Sequence, residues 1–62
     1  MKKLFYRGIN PYSFRSGEWG QVIGTSFKTR WCFIVEYKDG VIDYSPMIDT
    51  ANYELNEEDE EE

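Results

Sequence analysis

The chain has 62 residues, which allows one small domain with a limited core. Its single cysteine and its lack of histidine exclude an internal disulfide and a structural zinc site, so five tyrosines, four phenylalanines and two tryptophans must supply that core. The net charge of −5 is unevenly distributed, because residues 1–31 hold six cations and one acid whereas residues 32–62 hold one cation and eleven acids.

The first predicted elements are a short strand over 3–7 and a long loop over 9–20. Gly and Pro punctuate the loop, yet it also carries Tyr12, Phe14 and Trp19, which is unusual for a purely solvated connection. Loops of this length inside small domains are often functional. We therefore expect an ordered loop with a role in recognition.

A central hairpin follows a second predicted strand over 20–27, in which Gly24 indicates a bend or bulge. The hairpin strands are predicted over 31–37 and 41–45, joined at Asp39-Gly40, the strongest short-range hairpin signal in a sequence.

A two-residue turn at Asp39-Gly40 sets the predicted register of this hairpin. Tyr37 then faces Ile42, Val35 faces Tyr44, and Glu36 lies opposite Asp43 on the outer face. The register predicts a core that contains Trp31, Phe33, Val35, Tyr37 and Ile42.

The end of the chain is predicted to hold a helical turn over 45–50, a last strand over 51–55 and a disordered acidic tail over 56–62. We therefore divide the chain into a domain, 1–55, and a tail, 56–62. The order of elements predicts an all-β fold, a small five-stranded SH3-like barrel. A three-stranded antiparallel sheet with loosely packed ends is the alternative.

A set of short segments forms a pattern over roughly residues 6–54: Arg15-Ser16-Gly17-Glu18-Trp19, Val22-Ile23-Gly24, Cys32-Phe33, Val35-Glu36-Tyr37, Asp39-Gly40, Asp43-Tyr44, Pro46 and Tyr53-Glu54. In this pattern the chain resembles small uncharacterised proteins encoded by bacteriophages and prophages. The resemblance implies no activity and does not include the acidic tail; it implies an origin in the cytoplasm of a bacterial host. A cytoplasmic location also agrees with the absence of any apolar run long enough for a signal peptide or a membrane span.

Enzymatic chemistry has little support in the sequence. Cys32 has no histidine to activate it, and an apolar strand raises rather than lowers the pKa of a thiol. Glu36 and Asp43 form a candidate acid–base pair, but a solvated outer face suits them better than an enclosed site. We expect no cofactor and no metal, and a protein that is not an enzyme.

Binding functions remain, in three forms. The first is a non-enzymatic module that binds a host or phage protein through the long loop and the outer side of the hairpin. The second is nucleic-acid binding by the basic N-terminal half, where cations alternate with aromatic residues. The third is mimicry of DNA by the acidic C-terminal half. The residues expected to contact a protein partner are Tyr12, Arg15, Trp19, Arg30, Asp43 and Tyr44.

Two of these candidates also have a structural interpretation. Trp19 is large enough to plug the end of a barrel, since large rings mostly pack. Arg15 has Glu18 and Asp43 as possible ion-pair partners. The sequence does not decide between these roles and a binding role.

Overall fold

The fold is all-β and consists of one five-stranded antiparallel sheet, in a computed structural model that describes residues 2–59. A single turn of 3-10 helix, Thr50–Asn52, precedes the last strand. No helix among the described residues is long and apolar enough to cross a membrane. The strands are β1 (Lys2–Gly8), β2 (Trp19–Phe27), β3 (Trp31–Glu36), β4 (Ile42–Pro46) and β5 (Tyr53–Asp59).

The strand order is β4-β3-β2-β1-β5, so β4 and β5 are the edges of the sheet. No ladder joins β4 to β5 within residues 2–59, and the predicted closed barrel is therefore not formed by strand pairing alone. The sheet is nevertheless strongly curled. Ser45 on β4 donates a hydrogen bond of 2.5 Å to the hydroxyl of Tyr6 on β1, although three strand spacings, about 14 Å in a flat sheet, separate these strands.

The pairing of β2 with β3 contains the irregularity predicted at Gly24. Val22 pairs with Val35 and Gly24 pairs with Ile34, which leaves Ile23 as an extra residue in β2. A bulge of this kind bends a strand and increases its twist. It contributes to the curl of the sheet at its centre.

The hairpin between β3 and β4 differs by one residue from the predicted register. Val35 faces Asp43 and Glu36 faces Ile42, so the predicted opposition of Glu36 and Asp43 is wrong. The physical reason is the turn. Gly40 adopts a φ of 86°, its N–H donates to the carbonyl of Tyr37 at 2.9 Å, and the N–H of Tyr37 donates to the carbonyl of Val41 at 2.9 Å. This is a three-residue connection closed by a glycine bulge rather than a two-residue turn.

The altered register exchanges the two faces of β4. Asp43 and Ser45 now lie on the inner face with Val35, whereas Ile42 and Tyr44 lie on the outer face. Ile42 is 40% exposed, so its predicted burial is wrong. A shift of one residue has this effect because side chains alternate along a strand.

The core is small and mostly aromatic. Tyr6, Val35 and Tyr37 are buried, and Val22, Phe33 and Tyr53 pack against them while partly accessible. The burial predicted for Val35 and Tyr37 is confirmed, and Phe33 is half-buried. The predicted inward position of Trp31 is wrong: it is 55% exposed, and its ring packs edge-on against Phe27, outside the core cluster.

Gly20 allows β2 to lie close to this core. A Cβ atom at that position would stand 2.5 Å from Cγ1 of Val35, much closer than a van der Waals contact.

The predicted boundary between domain and tail is also corrected. β5 continues through Asp59, and residues 56–59 pair with residues 2–5 of β1. The expected disorder of 56–59 is therefore wrong, while 60–62 lie outside the described residues. The strand continues because the acidic residues of β5 lie beside the basic residues of β1, as in the pairs Lys2–Asp59 and Lys3–Glu58.

Candidate functional site

The long first loop, residues 9–18, is fixed to the central hairpin by Arg15. The guanidinium group donates to both carboxylate oxygens of Asp39, at 2.9 and 2.7 Å, and to Glu18 at 3.5 Å. It also lies over the rings of Phe14 and Tyr37, at 5.6 and 5.2 Å from their centroids. Bidentate pairing combined with ring contacts fixes both the position and the orientation of an arginine.

The electrostatic effect of this contact is reciprocal. The hydrogen bond from Arg15 lowers the pKa of Asp39, and the hydrogen bond to Asp39 raises the pKa of Arg15. Arg15 also has a φ of 50°, which is uncommon outside glycine, and Gly17 follows with a φ of 87°. The loop therefore holds Arg15 in a less favourable backbone conformation while its side chain makes the contact to Asp39.

Hydrogen bonds at the base of the loop hold it in place. The N–H of Gly17 donates to the carbonyl of Gly8 at 2.8 Å, and the N–H of Ile9 donates to the carbonyl of Asn52 at 2.9 Å. The Asn10 side chain donates to the Asn52 side chain at 3.1 Å. Held at both ends, the loop still leaves Tyr12 96% exposed.

A pocket lies between this loop, the inner face of β4 and the 3-10 turn. Its volume is about 190 Å³, and it contains two carboxylates, from Asp43 and Asp49. Neither carboxylate forms a hydrogen bond or ion pair with another part of the described chain, and Asp49 does not cap the 3-10 turn. The lining residues are Tyr6, Ser13, Phe14, Asp43, Tyr44, Ser45, Pro46, Asp49, Asn52 and Tyr53.

Two other concave regions are open to solvent. One, of about 380 Å³, lies on the outer face between Phe5, Trp19 and Lys38. There the guanidinium of Arg7 lies 4.7 Å from the centroid of the Trp19 ring. The other, of about 710 Å³, lies at the β2–β3 turn and is lined by Phe27, Thr29, Arg30, Trp31, Met47 and Ile48.

The six predicted contact residues are divided among these regions. Tyr12 and Arg15 are on the loop, and Asp43 lines the pocket beside it. Trp19 belongs to the outer-face concavity and Arg30 to the groove at the β2–β3 turn. Tyr44 contributes to the edge of the pocket, but its ring lies on the outer face, 5.0 Å from Nζ of Lys28. The structure therefore does not unite the six in one surface.

Several pocket residues escaped the sequence analysis. Asp49 and Asn52 were assigned only to a helical turn and a strand start, and Phe14 was noted only as a loop aromatic. Of the two ion-pair partners expected for Arg15, Glu18 is confirmed at 3.5 Å and Asp43 is wrong, because the shorter contact goes to Asp39, which the sequence assigns to a turn. The sequence signal closest to this pocket is Asn10-Pro11, because an Asn residue before proline favours the start of an ordered turn.

The unequal charge of the two chain halves is partly neutralised within the sheet. Arg7 pairs with Glu54 across β1 and β5, and Nζ of Lys2 lies 3.7 Å from Glu57. Lys28 lies over the ring of Tyr44. Lys2 and Arg7 are therefore partly neutralised by acidic residues of β5.

The described residues offer few groups for catalysis or metal binding. The Cys32 thiol is half-buried and donates weakly to the carbonyl of Arg30 at 3.7 Å. Within residues 2–59, no cluster of three or more His, Cys, Asp or Glu side chains is arranged to hold a metal ion.

Comparison with protein-family models, curated proteins and solved structures finds no match for this chain. The resemblance to phage-encoded proteins therefore stays a prediction. The functional argument depends on the geometry of the loop and its pocket.

Proposed function

We propose that this protein is a non-enzymatic interaction module with an SH3-like barrel fold that binds a host or phage protein in the bacterial cytoplasm. One observation carries the proposal: a loop joined to the central hairpin by Arg15 and Asp39 presents Tyr12 to solvent beside a pocket with two unpaired carboxylates. Rigidly presented loops commonly carry binding residues.

The barrel assignment is supported by contacts across the open side of the curled sheet. Tyr53 on β5 donates a hydrogen bond of 2.5 Å to the carbonyl of Met47, directly after β4. Its ring meets the ring of Phe33 on β3 edge-on, with centroids 5.7 Å apart. Side chains therefore connect the two edges, and the long first loop and the 3-10 turn before β5 fit the same architecture.

A protein partner suits this surface better than a small molecule. Tyr12 is almost fully exposed and Phe14 is 49% exposed, so both rings offer aromatic area that a protein partner can bury. Aromatic residues are enriched in interfaces because they bury a large area with few rotatable bonds. The adjoining pocket, at about 190 Å³, is smaller than typical small-molecule sites.

The nucleic-acid and DNA-mimic alternatives have less support. Arg7 and Lys2 pair with acidic residues of β5, which partly neutralises the positive charge that phosphate binding needs. The same pairs reduce the net negative charge that a mimic of DNA would need at Glu54 and Glu57.

The proposal is tested by selecting ligands from a random peptide library displayed on phage, with the full chain immobilised. Peptides selected on the wild type should bind the Tyr12→Ser variant at least tenfold more weakly. The matched control is Ile48→Ser, which removes an exposed apolar side chain from the groove at the β2–β3 turn.

The proposal fails if the selected peptides bind Tyr12→Ser as well as wild type, or if Ile48→Ser is the variant that loses binding. A parallel titration with a single-stranded oligonucleotide at low and moderate salt tests the first alternative. Tight, strongly salt-dependent binding there would replace the protein-binding assignment.

A further inference from the structure

The groove at the β2–β3 turn, defined above, continues an apolar face of the sheet beyond the core. Side chains alternate along β3, so Trp31 lies on the same face of that strand as the buried Val35. Phe27 pairs with Trp31 at the end of the β2–β3 ladder, and the N–H of Met47 donates to the carbonyl of Trp31 at 3.0 Å. Two strands and the segment after β4 therefore contribute to one apolar row outside the core cluster.

The side chains of this groove are left accessible by the rest of the described chain, residues 2–59. Phe27 is 59% exposed and Trp31 is 55% exposed, although their rings pack edge-on with centroids 5.3 Å apart. Ile48, which lines the groove from the segment after β4, is 75% exposed. Single exposed apolar side chains are ordinary on a protein surface, whereas several gathered in one groove are typical of an interaction site.

Two opposite charges without partners accompany the apolar side chains. Arg30 lines the groove at the β2–β3 turn, and Asp49 directly follows Ile48, between this groove and the pocket beside the first loop. Within residues 2–59 neither side chain forms an ion pair or a hydrogen bond, and both residues are exposed. A groove with one sign of charge would favour a partner of the opposite sign, whereas a groove flanked by both signs suits a second copy of itself.

A two-fold axis at the groove uses both features at once. In a symmetric contact, residue i of one copy meets residue j of the other, and the reverse contact is identical. The β2–β3 turn of one copy then lies against the 47–49 segment of its partner. This arrangement covers Ile48 with aromatic rings and brings Arg30 to Asp49 twice, once on each side of the axis.

The small core gives a physical reason for such an association. Among residues 2–59, only Tyr6, Val35 and Tyr37 are buried apolar side chains, and the single cysteine excludes an internal disulfide. Chains of this size commonly gain stability from oligomerisation when they lack disulfides and metals. Phe27 and Trp31 together leave about 200 Å² accessible, about a quarter of what each partner contributes to a standard interface, so the association should be reversible.

We propose that this groove is the interface of a reversible dimer with two-fold symmetry. Phe27, Trp31 and Ile48 form its apolar centre, and Arg30 of each copy pairs with Asp49 of the partner subunit. The inference goes beyond the proposed function, because no residue of the first loop lines this groove.

Sedimentation equilibrium of the full chain tests the dimer, at about 0.15 M salt and from about 1 to about 500 µM protein. The average mass should rise from that of one chain to that of two, with a dissociation constant of about 10 µM, which suits an interface of modest area. Trp31→Ser and Ile48→Ser should each weaken the dimer about tenfold or more. Ile42→Ser is the matched control, because Ile42 is an exposed isoleucine outside the groove.

Charge exchange tests the symmetry of the contact. Arg30→Glu places an acid against Asp49 of the partner subunit, and Asp49→Lys places a cation against Arg30 of the partner subunit, so each variant alone should dimerise about tenfold more weakly than wild type. In an equimolar mixture of the two variants, both contacts of a mixed dimer join opposite charges. The mixture should therefore regain the association of the wild type.

The inference is overturned if the wild type stays monomeric throughout the concentration range, which would leave the groove to a different partner. It is also overturned if Ile42→Ser weakens the dimer as much as Ile48→Ser, or if the mixture of charge variants associates no better than either variant alone. Amide chemical-shift dispersion checks that each variant folds. The two apolar variants test the groove independently, so misfolding of one does not leave the result undecided.

Discussion

Arg15 and Asp39, 24 positions apart in the sequence, form a bidentate ion pair that joins the first loop to the turn of the central hairpin. Both ends of the contact depend on backbone conformations with positive φ, at Arg15 itself and at Gly40 beside Asp39. The contact thereby relates the position of the exposed loop to the hairpin that forms the centre of the sheet.

This ion pair gives a pH-dependent prediction. Arg15 lowers the pKa of Asp39 in the folded state. The ionised Asp39 therefore stabilises the fold above the ordinary aspartate pKa of 3.8, and this stabilisation is lost as the pH falls through the lower folded pKa. Asp39→Asn should therefore lower the melting temperature at pH 7. The difference from wild type should shrink as the pH is lowered from 5 to 2, followed by circular dichroism.

Glu18 also contacts Arg15 and provides the control for this experiment. The carboxylate of Glu18 lies 3.5 Å from Arg15, farther than that of Asp39. Glu18→Gln should therefore change the melting temperature less than Asp39→Asn at every pH. An equal or larger effect of Glu18→Gln would contradict the primary role of Asp39.

The hairpin register predicts opposite outcomes for two apolar residues. Phe33→Ala should cost about 3 kcal/mol, because the ring packs against Tyr6 and Tyr53. Ile42→Ser should change the free energy of unfolding by only about 0.5 kcal/mol, because Ile42 lies on the outer face. Urea denaturation of both variants measures the difference. A larger loss of stability for Ile42→Ser than for Phe33→Ala would favour the register of the two-residue turn instead.

The strand at the acidic end of the chain predicts that truncation is destabilising. Deletion of 57–62 removes the residues of β5 that pair with Lys2, Lys3 and Leu4, and should cost about 1–2 kcal/mol. The loss should be smaller at high salt, since exposed ion pairs such as Lys2–Glu57 are screened. Thermal melts at two salt concentrations measure it.

Deletion of 60–62 alone is the matched control, because it leaves every described pair of the β1–β5 ladder in place. If both truncated chains have the same melting temperature as the wild type, the pairing of 57–59 does not stabilise the fold.

Two buried tyrosines predict contrasting effects of removing a hydroxyl. Tyr6→Phe should cost about 1–2 kcal/mol, because the buried Ser45 hydroxyl loses its acceptor. Tyr37→Phe should be neutral or stabilising by about 1 kcal/mol, because it removes a buried hydroxyl that has no partner among the described residues. Denaturant unfolding at pH 7 distinguishes the two.

Alkaline pH extends the contrast. Burial is the main cause that raises the folded pKa of Tyr37. The contribution of the neutral Tyr37 hydroxyl to the free energy of unfolding is therefore fully present below the ordinary pKa of 10.0 and is lost as the pH rises through the folded pKa. Tyr37→Phe should therefore gain stability relative to wild type above pH 10. A constant difference between pH 7 and pH 11 would contradict the burial of this hydroxyl.

The sequence was informative wherever the signal was local. The Asp39-Gly40 pair located the central hairpin, Gly24 located the bulge of β2, and the aromatic content of residues 9–20 indicated an ordered loop. The length of the hairpin connection was not decided locally, because an Asp-Gly pair suits both a two-residue turn and a three-residue turn with a glycine bulge.

The sequence by itself determined an all-β chain, the position of its strands to within a few residues, and the alternation of side chains along β3 that buries Val35 and places Tyr37 on the same face. Tertiary structure alone decided the pairing of Arg15 with Asp39, the inward position of Asp43 and the ordering of residues 56–59 beside β1. These features depend on how the sheet curls and on which strands become neighbours. Charge and hydrophobicity along the chain do not encode such distances, because residues far apart in sequence meet only when strands pair.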